Sequence, residues 1–192
     1  MTPQDDVYIC CDIEADGPIP GPYSMLSLGM SVAGRFDGRT FTRLDPAAET
    51  FYAELAPVSS QWDQESLRVS GLDRDRLVRE GEQPAPAMRR AANWVEDVAG
   101  TDRPVFVSYP LGYDWMFVYW YFQRFLGAKG PFGHSVHLDI KTLFAVKAGV
   151  TVGAAVRKNL AEDLAPRRPA THHARDDAMA HADLLANLMT LR

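Results

Sequence analysis

Asp12 and Glu14 stand two residues apart at the end of an apolar run, Val7-Tyr8-Ile9-Cys10-Cys11. Far downstream the chain reads His172-His173-Ala174-Arg175-Asp176-Asp177-Ala178, and Asp114 opens an aromatic-rich stretch between them. Alternate side chains of a strand share a face, so Asp12 and Glu14 project together. Paired carboxylates on a buried strand repel one another and lose hydration, and a hard divalent cation relieves both costs. Four acids and one histidine of this kind, Asp12, Glu14, Asp114, Asp177 and His172, can build a two-metal site that cleaves phosphodiesters.

The spacing of residues in the last helix separates its acids. Asp177, His181, Leu184 and Leu188 form one row, beside Ala178, Ala182, Leu185 and Met189, so Asp177 points inward. Asp176, Ala180, Asp183 and Asn187 form a mainly polar row, on which Asp176 faces water. An inward acid on an apolar row needs a partner or a metal. Asp114 shares a face with Phe117, Val118, Tyr121 and Phe125, in a helix whose aromatics read as core. As a first-turn residue it also suits the positive end of the helix dipole. His172 lies in the loop before the last helix, five residues ahead of Asp177. A histidine there can take a proton from water near neutral pH. His173 is the competing candidate, and the spacing to Asp177 favours His172.

The elements that must position these groups follow from pattern and punctuation. Residues 6–13 read as a buried first strand, 16–23 as a Gly- and Pro-dense loop, and 24–33 as a second strand. Residues 39–43 with 50–55 read as a third strand and its approach, completing an antiparallel meander. Short helices are expected over 63–69 and 73–79, and a longer one opened by prolines over 84–98. Residues 104–108 form a compact strand, 113–127 a helix, and 136–143 a short strand or turn leading into a helix. Residues 154–163 read as helical, and 175–191 as the last helix. Strands first and then strands alternating with helices imply an α/β fold: a mixed sheet, antiparallel over its first three strands and then parallel, flanked by α-helices.

A length of 192 residues fits a single domain over 1–192. With 46% hydrophobic and 23% charged residues, the chain has the makings of a packed core. No apolar run is long enough to span a membrane, and the polar start Met1-Thr2-Pro3-Gln4-Asp5-Asp6 has no secretory pattern. The cysteines, Cys10 and Cys11, are adjacent in a strand and point to opposite faces, which suits free thiols in a cytoplasmic protein. They offer no structural zinc spacing. A net charge of −5 excludes a general nucleic-acid coating protein, while local arginines can still grip one strand end. Arg167, Arg168 and Arg175 flank His172, with Arg157 and Lys158 upstream, as a candidate phosphate rim. Tyr23 and Ile19 are candidates to stack or wedge against a terminal base.

In this order the residues resemble the DEDDh family of 3′→5′ exonucleases, within the ribonuclease H-like fold. Asp12-Ile13-Glu14 is similar to its first motif, D-x-E after the first strand. Asp114 after Val105-Phe106-Val107 is similar to the second, and His172 to Asp177 to the third, H-x-x-x-x-D leading into the final helix. Val69-Ser70-Gly71-Leu72 resembles the small-residue turn between motifs. Ala15 departs from a frequent threonine, and Tyr109-Pro110-Leu111-Gly112-Tyr113 from the usual His-Asn. The resemblance implies a metal-dependent 3′→5′ exonuclease releasing nucleoside 5′-monophosphates. It implies two Mg²⁺ or Mn²⁺ ions on Asp12, Glu14, Asp114 and Asp177, and His172 as general base. The implied partner is a single-stranded RNA or DNA 3′ end, and a homodimer is left open. Two alternatives remain: a non-catalytic binding domain of the same fold, and a phosphohydrolase of small nucleotides.

Overall fold

The computed structural model describes residues 4–127, 130–169 and 171–191, so Met1–Pro3 of the polar start lie outside it. Its centre is β1 (Asp6–Ala15), the buried run that ends in the D-x-E acids. It pairs antiparallel with β2 (Met25–Phe36), whose opposite edge carries both β3 (Phe41–Arg43) and β4 (Thr50–Glu54). On its other side β1 pairs parallel with β5 (Arg103–Ser108), and β5 with β6 (His137–Asp139). The sheet is mixed, antiparallel first and then parallel, as the element pattern implied. The expected third strand is two strands, β3 and β4, taking successive stretches of one β2 edge. The Asp45–Ala48 turn between them lets the chain leave the edge and return.

Helices cover both faces. α1 (Gln64–Ser70) and α2 (Arg74–Glu80) start at Asp63 and Asp73, whose carboxylates accept from the Ser66 and Arg76 backbone N–H groups. α3 (Pro84–Ala99) and α4 (Leu111–Leu126) bury Met88, Val95, Phe117 and Tyr121 with Ile9, Cys11 and Ile13 of β1. α5 (Ile140–Ala148) and α6 (Ala174–Thr190) bury Phe144, Leu184, Leu185 and Leu188 with Tyr8 and Cys10 on the other face. Each such large apolar side chain contributes roughly 1.5–3 kcal/mol by leaving water. The strand's alternation therefore sends Cys10 and Cys11 to opposite faces, both free and buried.

One sequence expectation is corrected. Residues 154–163 are not a helix: turns and a single 3₁₀ turn at Arg157–Asn159 occupy them, because Val156 is extended and only Ala155 and Leu164 have a buried face to fill. Along the polar row of α6, Asp176 is partly exposed, whereas Asp183 is 1% exposed and bonded to Arg43 (2.9 Å) and Arg168 (2.8 Å), which cover it from β3 and the loop before α6.

α6 lies directly against the sheet. A Cβ on Gly29 would come within 2.2–2.3 Å of the Ala174 and Arg175 backbone. Gly29 is the β2 partner of Asp12, so this close approach brings the start of α6 to the D-x-E acids. Gly29→Ala should push α6 away and reduce turnover more than it lowers thermal stability. A kinetic assay beside a melting curve checks this; native turnover in the variant would show that the spacing is not needed.

Candidate active site

The site forms where β1 outruns its neighbour. β5 pairs with β1 only as far as Cys10, leaving Asp12, Ile13 and Glu14 beyond the end of the parallel ladder. Such a carboxyl-end crevice is where open α/β sheets bind ligands. Asp114, in the first turn of α4, fills the gap. Its Oδ1 accepts from the Ile13 N–H at 3.2 Å, and its Oδ2 from the Ser108 hydroxyl at the end of β5. The Leu111 N–H at the start of α4 is in turn held by Asp139, the residue that caps α5.

Asp177 enters from the opposite face, in the first turn of α6. Its two oxygens accept from the Thr171 N–H (2.8 Å) and the His172 N–H (3.1 Å), folding the preceding loop onto it. His172 takes a left-handed backbone (φ 57°) in this turn, a conformation that costs a non-glycine residue energy. One ligand atom each from Glu14, His172 and Asp177 lies within 4.8 Å of the others. A cleft of about 420 Å³ is lined by these three with Asp12, Asp114 and Arg157. His173 points elsewhere, its ring stacked on Tyr52 at 4.5 Å.

Burial raises the pKa of three of the carboxylates, with repulsion from neighbouring acids adding to it at Asp12 and Glu14. Burial pushes Asp12 well above the usual range, helped by Asp114, Glu14 and Asp177 and opposed by the Arg157 charge. Burial, then Asp177 and Asp114, lifts Glu14 to about 8. Burial lifts Asp114 to about 7, against the hydrogen bonds from Ser108 and Ile13. Negative charge is thus crowded and undercompensated in the cleft, which calls for cations.

The chain is 31% identical over 185 residues to the 3′-5′ DNA exonuclease Cap18 of Escherichia coli, covering 96% of this chain and 92% of that protein. This protein belongs to the DEDDh family of 3′→5′ exonucleases. No family model matches the sequence. Among solved structures, the nuclease domain of 3′hExo, a DEDDh family member bound to rAMP, superposes with a TM-score of 0.69 at 15% identity. That match covers 96% of this chain and 91% of the other. Pop2p of S. pombe, in a form with Mg²⁺ and Mn²⁺ bound, gives 0.63 at 14% identity over 93% and 81% of the two chains. Both share the ribonuclease H-like fold with this exonuclease.

The exonuclease brings Asp12, Glu14, Asp114, His172 and Asp177 together in one cleft. The remaining candidates are more dispersed. Arg168 is engaged by buried Asp183, and Arg175 lies 3.4 Å from Asp176. Arg167 is exposed in a separate groove of about 770 Å³ with Arg43 and Arg168. Tyr23 packs over Gly17, where a Cβ would meet its ring at 2.1 Å, and so closes its own loop. Ile19 is 47% exposed at the tip of that loop. Two cleft-lining groups had no assigned place in the sequence reading, Tyr109 and Tyr113, whereas Arg157, read there as part of the phosphate rim, lines the cleft. The Tyr113 hydroxyl donates to the Gly17 carbonyl at 2.9 Å, tying α4 to the loop after β1. The departure of Tyr109–Tyr113 from the family motif was the available signal for the two tyrosines. Among the described residues, no helix is long and apolar enough to cross a membrane.

Proposed function

We propose that this exonuclease, a single domain acting in the cytoplasm, removes nucleoside 5′-monophosphates from the 3′ ends of single-stranded DNA. The observation that carries the reading is the convergence of Glu14, His172 and Asp177 within 4.8 Å, in a cleft that also holds Asp12 and Asp114. DNA is favoured over RNA by the likeness to Cap18, a DNA exonuclease.

The donor set fits hard divalent cations. All four acids offer oxygen, and the raised pKa values of Asp12, Glu14 and Asp114 report negative charge that a cation would neutralise. Asp12, Glu14, Asp114 and Asp177 would hold two Mg²⁺ or Mn²⁺ ions, Asp12 serving both. Bound there, the ions would acidify the attacking water and offset charge on the phosphate. His172 would accept the proton of that water as its oxygen bonds to phosphorus. The bond from phosphorus to the upstream 3′-oxygen breaks, and that oxygen keeps the electron pair and takes a proton from solvent. Asp177 orients His172 through its backbone N–H. Tyr113 lines the cleft and exposed Ile19 lies on the loop that Tyr113 holds, so these two would meet the terminal base, and exposed Arg167 would meet an upstream phosphate. Arg168 and Arg175 would act with it only by giving up part of their present partners.

The test is digestion of end-labelled DNA and RNA oligonucleotides with Mg²⁺ or Mn²⁺. Mononucleotides should leave the 3′ end from the first time point, faster from DNA. A 3′-phosphate, doubly charged beside the carboxylates, should block digestion. Efficient cleavage of a circular strand would reveal an endonuclease and overturn the polarity.

A further inference from the structure

His181 sits one helical turn after Asp177 on α6 and is 1% exposed. Its Nε2 lies 2.6 Å from an Arg157 guanidinium nitrogen. Guanidinium has no acceptor, so Nε2 accepts and the ring proton is placed on Nδ1. A ring nitrogen that accepts from a guanidinium is unprotonated, so the ring is a neutral donor through Nδ1. Nδ1 is buried without a hydrogen-bond partner among the described residues, and lies 3.9 Å from Asp12 Oδ1. The backbone of Cys11 also faces the ring and is the competing partner. Arg157 is itself steadied, 5.8 Å over the ring of Tyr109 on the cleft wall.

We infer that His181 is a positioning residue for Asp12, presenting its Nδ1–H to the carboxylate while Arg157 fixes the tautomer from the other side of the ring. A ligating carboxylate held by an outer hydrogen bond keeps one orientation and its charge, and such partners shape metal affinity. A space-filling core histidine would leave both ring nitrogens without this arrangement. The inference rests on Asp12 being a metal ligand, as proposed above, and extends it to groups that touch neither substrate nor ion.

The experiment is Mn²⁺ titration of the substrate-free protein, followed by the signal of free Mn²⁺ in electron paramagnetic resonance, with melting curves alongside. His181→Phe should weaken Mn²⁺ binding about 10–100-fold, the usual effect of losing an outer-shell partner. His181→Asn, which keeps an N–H near the Nδ1 position, should restore most of it. Native Mn²⁺ affinity in a folded His181→Phe, or equal losses in the Asn and Phe variants, would overturn the inference. If His181→Phe does not fold, His181→Gln, whose amide reaches the Nε2 position and not the Nδ1 position, decides, and native affinity there would also overturn it. Asp12→Asn separates the two levels. Native Mn²⁺ affinity in that variant would overturn the metal-site reading and this inference with it. A loss there beside native affinity in His181→Phe would overturn this inference alone.

Discussion

Asp12→Ala is expected to abolish cleavage, lowering turnover by at least about 10³-fold, and at the same time to stabilise the metal-free fold. The activity loss follows if Asp12 holds both ions, since about 4 kcal/mol of lost charge stabilisation corresponds to that factor. The stability gain follows from the crowding of acids. The raised pKa values of Asp12, Glu14 and Asp114 mean that the folded chain holds protons the unfolded chain releases. Below about pH 4 these groups are protonated in both states and carry no penalty. As pH rises from there to about 8, where Glu14 ionises in the fold, the metal-free protein loses stability. Removing Asp12 relieves part of that loss. In EDTA at pH 8 the variant should melt higher by about 2–4 °C for each kcal/mol relieved, the difference fading toward pH 4. Calorimetry across that range checks the sign. A variant that melts no higher than the native chain at pH 8 would contradict the repulsion, and full native activity in excess EDTA would contradict metal dependence.

His172→Ala is expected to reduce kcat by about 10²–10⁴-fold, the range for loss of a positioned general base, whereas His173→Ala should cost far less. His172 lines the cleft beside Glu14 and Asp177, while His173 is stacked on Tyr52 at the N-terminus of α6. Losing His173 should loosen the helix start and show mainly in thermal stability. Single-turnover rates at saturating Mn²⁺ separate the chemical step from binding. Equal, small losses in the two variants would remove His172 from the proton-accepting role. Asp177→Ala should exceed both, because its carboxylate also holds the Thr171 and His172 backbone in place.

Much of the site was legible because secondary structure alone fixes which side chains travel together. The two-residue period of a strand puts Asp12 and Glu14 on one face, and helical spacing turns Asp177 inward beside Leu184. The helix starts at Asp63 and Asp73 carry their own caps, and the Cys10 and Cys11 alternation follows from the same strand period. Local pattern failed at 154–163, where alanines and leucines at helical spacing found too little surface to cover.

The sequence by itself determined the acids, the histidine, their strand and helix settings, and their order along the chain. Only the tertiary structure decided that β1 runs past β5 so that Asp114 can cap Ile13. It alone let Gly29 admit the start of α6 against the Asp12 strand, and made β3 and β4 share one edge of β2. Asp183 belongs to the polar row of its helix and is buried because Arg43 and Arg168 come from elsewhere to cover it. His181 reads as one more inward residue until Arg157, from an irregular segment, meets its far nitrogen. Periodicity constrains neighbours a few residues apart, whereas these contacts close loops of many residues, and their partners are chosen by packing and charge compensation across the whole fold.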